Sequence, residues 1–309
     1  MISVVIPVYN AEHSIKKLVR KIIEVFKGVE IEIILVNDDS PDNSHKECLE
    51  ISDENKLKVN YIKLSKNVGE HNAIMAGLRY VEGDWALIMD DDFQNPPEEG
   101  LKLVQFALKN DYDIVYGDYE IKRHSLFRNF ISKVNDLTAN FILKKPKGLY
   151  LSSFKCIKKN LLKNIISYKG PFPYIDGLVL SATSKIGSIK TTHASRAAGK
   201  SGYSLSKLLK LYGNLATNFS TTPIHLFSVT GFIIALISGL YGIFIFLEKF
   251  LDPSTPIGYS SIVTTIVFFA GIQLIFLGLI GEYIGKILKN VNQEKQYNIE
   301  LEKLRDGKK

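Results

Sequence analysis

Three consecutive aspartates, Asp90-Asp91-Asp92, follow the apolar run Ala86-Leu87-Ile88-Met89 and precede Phe93-Gln94-Asn95-Pro96-Pro97. Adjacent carboxylates repel one another and are costly without a counter-ion. Their hard oxygens suit Mg²⁺ or Mn²⁺, ions that typically also hold substrate phosphates. A solvated acidic turn is the competing reading. A second acidic cluster, Asn37-Asp38-Asp39-Ser40, follows another apolar run. Other chemistries are poorly served. No G-x-G-x-x-G follows a strand pattern, and Gly199-Lys200-Ser201 lacks the earlier glycine of a P-loop because Ala194 stands there. No H-E-x-x-H occurs, and the six histidines form no ligand-spaced pair. Cys48 and Cys156 match no metal spacing, so neither a zinc site nor a disulfide scaffold is expected.

The elements that must position these carboxylates are legible in residues 1–117. Ile2–Val8, Ile31–Asn37, Val59–Leu64, Trp85–Met89 and Asp113–Tyr116 are short apolar runs that read as strands. Between them, Glu12–Lys27, Asn43–Glu54, Glu70–Val81 and Pro97–Lys109 read as helices. Alternation of this kind predicts an α/β fold with a mostly parallel sheet. Ligands of such sheets bind at the carboxyl ends of the strands, where both acidic clusters fall.

The chain of 309 residues is 46% apolar and 23% charged, which excludes global disorder. Its net charge of +7 is unevenly spread. Residues 1–120 carry 13 Lys+Arg against 23 Asp+Glu, whereas residues 121–225 carry 18 against 2. An acidic block followed by a basic one predicts a metal-binding half and an anion-facing half. The start, Met1 to Pro7, lacks a basic n-region and is not expected to be a signal peptide.

The basic block adjoins two long uncharged stretches. Leu226–Leu247 has 22 residues and Tyr259–Gly281 has 23. At about 1.5 Å per residue, 22 residues span roughly 33 Å, enough to cross a bilayer core. Asp252-Pro253 and Thr255-Pro256 break the helix between them. The pair is expected to form a transmembrane hairpin (226–281). Lys207, Lys210, Lys286 and Lys289 flank its outer ends, so both termini are expected in the cytoplasm. That leaves a catalytic region (1–225) and a charged tail (282–309). Stripes of Leu, Phe and Ile within about 125–143 and 204–222 predict amphipathic helices at the membrane surface, with an ordinary core-facing helix as the alternative. Beside a membrane, the anions expected of the basic block are lipid phosphates rather than nucleic acid.

Several ordered motifs carry a family resemblance over nearly the whole chain, up to about residue 290. Val4-Val5-Ile6-Pro7-Val8-Tyr9-Asn10, Val36-Asn37-Asp38-Asp39-Ser40-Pro41-Asp42, Asn67-Val68-Gly69-Glu70-His71-Asn72 and Asp90-Asp91-Asp92-Phe93-Gln94-Asn95-Pro96-Pro97 resemble family 2 glycosyltransferases of the GT-A fold. Arg196-Ala197-Ala198-Gly199-Lys200-Ser201-Gly202-Tyr203, Thr221-Thr222-Pro223 and Gly281-Glu282-Tyr283-Ile284-Gly285 are similar to the polyprenyl-phosphate branch. That branch includes undecaprenyl-phosphate glucosyltransferases, the formamido-arabinose transferase and, further off, dolichol-phosphate mannose synthase.

The resemblance implies a nucleotide-sugar site at Pro7, Tyr9, Asn10, Asp38, Asp39, Asn67 and Asp91. Within it, Asp38 and Asp39 hold base and ribose. Asp90 and Asp92 would be the outer members of a D-x-D and, with Gln94 facing the sugar, the catalytic set. The metal would be held by Asp92 and Asp90, Asp92 the more direct ligand, with the choice within 90–92 left open. Arg196, Lys200, Ser201 and Tyr203 would reach the donor phosphates, and Arg128 the lipid phosphate. The chain also departs from the family. Asp91 fills a usually small position, and Tyr119 or Glu120 stands where an arginine is common, leaving that role to Lys122 or Arg123. Leu149 replaces an aspartate, and Gly202 a lysine.

The implied reaction moves a sugar from a nucleotide-sugar, UDP preferred, to a polyprenyl phosphate with inversion, giving a lipid-linked donor for cell-envelope glycans. An acceptor phosphate is already ionised at neutral pH, so cationic positioning replaces a strong base. Homo-oligomerisation, as a tetramer, is a family expectation. A processive polysaccharide synthase would need a Q-x-x-R-W element, yet the single tryptophan is Trp85. A non-catalytic nucleotide-binding scaffold is the remaining alternative.

Overall fold

The computed structural model describes residues 1–54, 58–119, 146, 148–192, 229, 233, 240, 258–291 and 295–304. The chain forms two compact units, one of Met1–Gly202 with Gln293–Lys309 and one of Tyr203–Asn292.

The first unit is built on eight strands: β1 (Ile2–Val8), β2 (Ile31–Asn37), β3 (Val59–Leu64), β4 (Trp85–Ile88), β5 (Ile114–Tyr119), β6 (Lys155–Lys158), β7 (Ile186–Thr191) and β8 (Ile299–Lys303). They lie in the order β7-β5-β6-β4-β1-β2-β3-β8. Strands β1 to β4 are mutually parallel, β6 runs antiparallel between β4 and β5, and β8 runs antiparallel along β3. The mostly parallel α/β sheet expected from the apolar runs is therefore present. Its antiparallel members lie beyond the alternating region. The near-continuous apolar runs of β1 and β2 reflect burial on both faces.

Helices α1 (Ile15–Val25), α2 (Ser44–Asp53) and α4 (Pro97–Asn110) cover one face. There Ile15, Leu18, Ile22, Cys48, Leu103 and Val104 pack against Val4, Ile6 and Val8. Helices α3 (Glu70–Leu78), α5 (Lys159–Ile166) and α6 (Ile175–Ala182) cover the other face. There Ile74, Leu162 and Val179 meet Val5, Ile34 and Ile88. This is the period-two alternation of a strand divided between two cores. Gly77 allows α3 to lie close on the sheet, because a Cβ there would come within 2.6 Å of Val5 Cγ1. Cys48 and Cys156 are both buried free thiols.

The C-terminal region differs from a plain charged tail. Within residues 282–309, helix continues to Val291 and Ile299–Lys303 becomes the edge strand β8. Ladder hydrogen bonds to β3 outweigh its charges, which an edge strand can keep in water.

The second unit contains α7 (Tyr259–Val291), a helix of 33 residues that covers the second uncharged stretch. Its described apolar side chains Ile262, Ile266, Leu277, Ile280 and Ile284 are exposed. Judged on the described residues alone, no helix is long and apolar enough to cross a membrane. The first expected span lies outside the described residues, apart from three helical positions. So do both expected amphipathic helices.

Candidate active site

Three strand ends build the site, and each turns away sharply. Asn10 after β1, Asp39 after β2 and Phe93 after β4 all adopt left-handed backbone, with φ of 57°, 52° and 62°. Asn and Asp tolerate that region, whereas a Phe there is strained, as happens at functional loops. Pro7 fits inside a central strand for a local reason. Val5 accepts the N–H of Met89 on the β4 side, and pairing with β4 ends at Val5. Pro7, two residues on, faces the same side past the end of that ladder, where no N–H is required.

The loops are tied together by their own acidic residues. Asp38 is buried, and its two carboxylate oxygens accept the N–H groups of Val68 (2.7 Å) and Gly69 (2.9 Å). Asn67 donates to the Asp38 carbonyl at 3.2 Å. Burial raises the Asp38 carboxyl above its usual range, the two N–H groups pull it back, and Asp39 adds to the rise. Gly69 has φ +90°, a conformation suited to glycine, as the chain turns into α3. Asn37 Oδ1 accepts the N–H of Ser40 at 2.8 Å, closing the β2 turn. The Asn10 N–H donates to Ser40 Oγ at 3.3 Å, linking the β1 and β2 loops.

Within the triplet the three carboxylates have different partners. Asp90 Oδ2 accepts hydrogen bonds from Ser153 Oγ (2.7 Å) and Asn95 Nδ2 (3.2 Å). Asp91 Oδ2 accepts the N–H of Tyr9 at 2.9 Å. The Asp91 carboxyl is pushed up to about 7, chiefly by desolvation, with the Tyr9 N–H opposing the rise and Asp90 and Asp92 contributing to it. Asp92 Oδ1 accepts the N–H of Gln94 at 3.0 Å. The triplet supplies hard oxygen donors of the kind that hold Mg²⁺ or Mn²⁺ alongside a diphosphate. Among the described residues, no group of three or more His, Cys, Asp or Glu side chains is arranged as a self-sufficient metal cage.

Sequence reasoning missed a buried cluster at the same rim. Because β6 is antiparallel, its first residue, Lys155, pairs with Ile88 at the carboxyl end of β4 and with Tyr116 in the middle of β5. The Lys155 ammonium forms an ion pair with Asp176 Oδ1, which also accepts the Tyr116 hydroxyl at 2.9 Å. Lys155 and Asp176 are both buried. Asp176 was one of only two acidic residues in the basic block, the one signal that could have marked it. His71 stands nearby, edge-on to the Tyr174 ring at 5.1 Å. Its Nδ1 is buried without a hydrogen-bond partner, and burial pulls its pKa down to about 4 against the pull of Asp176. Ser153 and Asn95 were also missed, though Asn95 lies inside a quoted motif.

Of the expected site residues, Pro7, Tyr9, Asn10, Asp38, Asp39, Asn67, Asp90, Asp91, Asp92 and Gln94 share one rim of the sheet. Arg196, Lys200, Ser201, Tyr203, Lys122, Arg123 and Arg128 lie outside the described residues.

Comparison with known proteins agrees with this architecture. Residues 3–166 match the family described as glycosyl transferase family 2, and residues 222–287 match the GtrB C-terminal hairpin. The chain is 32% identical over 307 residues to the undecaprenyl-phosphate 4-deoxy-4-formamido-L-arabinose transferase of Edwardsiella ictaluri, covering 97% of this chain and 93% of that one. Against the protein of the same name from Pectobacterium carotovorum it is 33% identical, covering 97% and 92%. The structure of glucosyl-3-phosphoglycerate synthase from Mycobacterium tuberculosis superposes with a TM-score of 0.52 at 17% identity, covering 71% of this chain and 80% of that one. That likeness concerns the fold alone. With more than half of its length matched to the family and relatives aligned almost end to end, the chain belongs to glycosyl transferase family 2 and is a glycosyltransferase.

Proposed function

We propose that the protein transfers a sugar from a UDP-sugar to undecaprenyl phosphate at the membrane surface, with inversion at the anomeric carbon. The observation that carries this reading is the convergence of the β1, β2 and β4 loops. The Asp91–Tyr9 bond ties the β4 loop to β1, and the Asn10–Ser40 bond ties β1 to the β2 loop. The Asp38–Val68/Gly69 bonds tie that loop to the start of α3, which supports reading Asp38, Asp39, Asp90 and Asp92 as one site. Relatives aligned over 97% of the chain are named for an undecaprenyl-phosphate acceptor. UDP is the nucleotide implied by the motif resemblance.

In this reading Asp38 and Asp39, with the Asn67 loop, receive the nucleoside, and Asp92 with Asp90 would hold Mg²⁺ or Mn²⁺. The ion would neutralise charge developing on the departing diphosphate. Gln94 lies beside Asp92 and faces the sugar. Arg196 and Lys200, with Ser201 and Tyr203, bind the donor phosphates. Arg128, with Lys122 or Arg123, positions the acceptor phosphate, which attacks as an anion and needs no proton removed. Residues 226–247 and 259–281 form the anchoring hairpin with both termini cytoplasmic. The exposed apolar side chains of α7 support that placement, since a face of this kind is costly in water. Assembly as a tetramer belongs to the same reading.

The test is transfer of radiolabelled sugar from a panel of UDP-sugars to undecaprenyl phosphate by the purified full chain, with and without chelator. Labelled lipid that disappears in EDTA and returns with Mg²⁺ or Mn²⁺ is the expected result. Binding of UDP without turnover on any donor would leave the scaffold alternative standing.

A further inference from the structure

Strand β8 does more than close the sheet. Its register along β3 runs Tyr61↔Lys303, Ile62↔Glu302, Lys63↔Leu301 and then jumps to Leu64↔Ile299. Glu300 is therefore the extra residue of a β-bulge. A bulge redirects a side chain, and bulges recur beside functional sites. Here the Glu300 carboxylate meets the Lys63 ammonium at 2.6 Å. On its other side, Lys63 pairs in register with Asn37 of β2. Its ammonium lies 3.9 Å from Asp39 Oδ1. One cation, its side chain only 16% exposed, thus stands between the C-terminal strand and the nucleotide loop.

We propose that Glu300 is a positioning residue of the nucleotide subsite, acting on Asp39 through Lys63. This rests on the reading of Asp39 as a nucleotide-binding residue. The bulge carboxylate takes the close contact with Lys63 and leaves Asp39 the distant one, so that Asp39 stays available to accept from the ligand. Without the Glu300 charge, the carboxylate left near Lys63 among the described residues is Asp39. The ammonium then contracts onto it and competes with the nucleotide. The C-terminal strand, 237 residues away in sequence, sets the charge balance of the donor site.

The test is a double-mutant cycle on the full chain in detergent, with Kd for UDP in Mn²⁺ read by calorimetry and Tm measured on each protein. Glu300→Gln is expected to weaken UDP binding by about threefold, the scale of a partly exposed ion pair. In a Lys63→Met background the same substitution should change nothing. Unchanged affinity in Glu300→Gln overturns the proposal. So does a loss that persists without Lys63 and tracks a fall in Tm, because that reports undocking of β8. Absence of UDP binding by the unsubstituted protein would instead sink the donor reading itself.

Discussion

The Asp91 carboxylate accepts the backbone N–H of Tyr9 at 2.9 Å, so the middle member of the acidic triplet latches the end of β4 to the end of β1. This gives a physical role to a carboxylate at a position usually small in the family. In the proposed reading the outer two members, Asp90 and Asp92, would hold the metal. Asp92→Asn should lower the transfer rate by on the order of a thousandfold while the fold persists. Asp91→Asn, whose amide oxygen can still accept from Tyr9, should stay within about tenfold of wild type, and Asp91→Ala should lose more. Steady-state rates on the three variants check this, and equal inactivity of Asp91→Asn and Asp92→Asn would refute the division of roles.

Ser153 aims Asp90. Removing a hydrogen bond behind a metal-binding carboxylate commonly costs about tenfold or more in metal affinity. Ser153→Ala should therefore raise the Mn²⁺ concentration needed for UDP binding by roughly tenfold, with Tm little changed. Ser153→Thr, which keeps the hydroxyl, should restore it. Titration of Mn²⁺-dependent UDP binding is the measurement.

The Lys155–Asp176 pair carries a stability signature. Removing one partner strands a buried charge, so Lys155→Met and Asp176→Leu should each destabilise by about 3–5 kcal/mol. The double variant should recover most of the loss, because a buried ion pair is weak in net terms. Denaturant unfolding of the four proteins decides it, and additive losses would show that the pair is not the coupled unit.

His71 makes stability fall with acid. Its pKa is pulled from 6.5 down to about 4 in the folded chain, chiefly by burial. The neutral ring is favoured on folding, so its contribution is fully present above pH 6.5 and is lost as pH falls through 4. Over that window wild type should lose at most about 3 kcal/mol relative to His71→Phe. Parallel stability curves for the two proteins between pH 7.5 and 4 would contradict this.

Strand β8 also bears on any truncated catalytic unit. A chain ending at His225 leaves β3 as an open edge, without the Lys303–Asp53 contact or the Gln296 hydrogen bonds to the Tyr168 and Gly170 carbonyls. It should melt lower and aggregate more readily than residues 1–225 joined to 293–309 by a flexible Gly/Ser linker. Light scattering and Tm compare the two.

How much of this was legible depends on the range of the interaction. Strands β1 to β5 and helices α1 to α4 were found within a few residues of their expected bounds, since apolar periodicity and strand-end residues are local signals. The carboxylates at positions 38, 39, 90, 91 and 92 were legible for the same reason: each run directly follows a strand pattern, and a parallel sheet puts such ends on one rim. What each carboxylate does was not legible. Ser153 lies 63 residues from Asp90, and Tyr9 lies 82 from Asp91. Ser153 is brought to Asp90 by the insertion of β6 between β4 and β5, and Tyr9 to Asp91 by the pairing of β1 with β4, neither of which any local period specifies. The charged tail hid β8 because an edge strand needs one packed face and a ladder, and its polar residues read as solvent-exposed chain. Composition and spacing thus determined the element order and the acidic rim. Strand pairing across long separations decided which oxygen each aspartate presents, because that choice rests on nonlocal hydrogen bonds formed only in the assembled sheet.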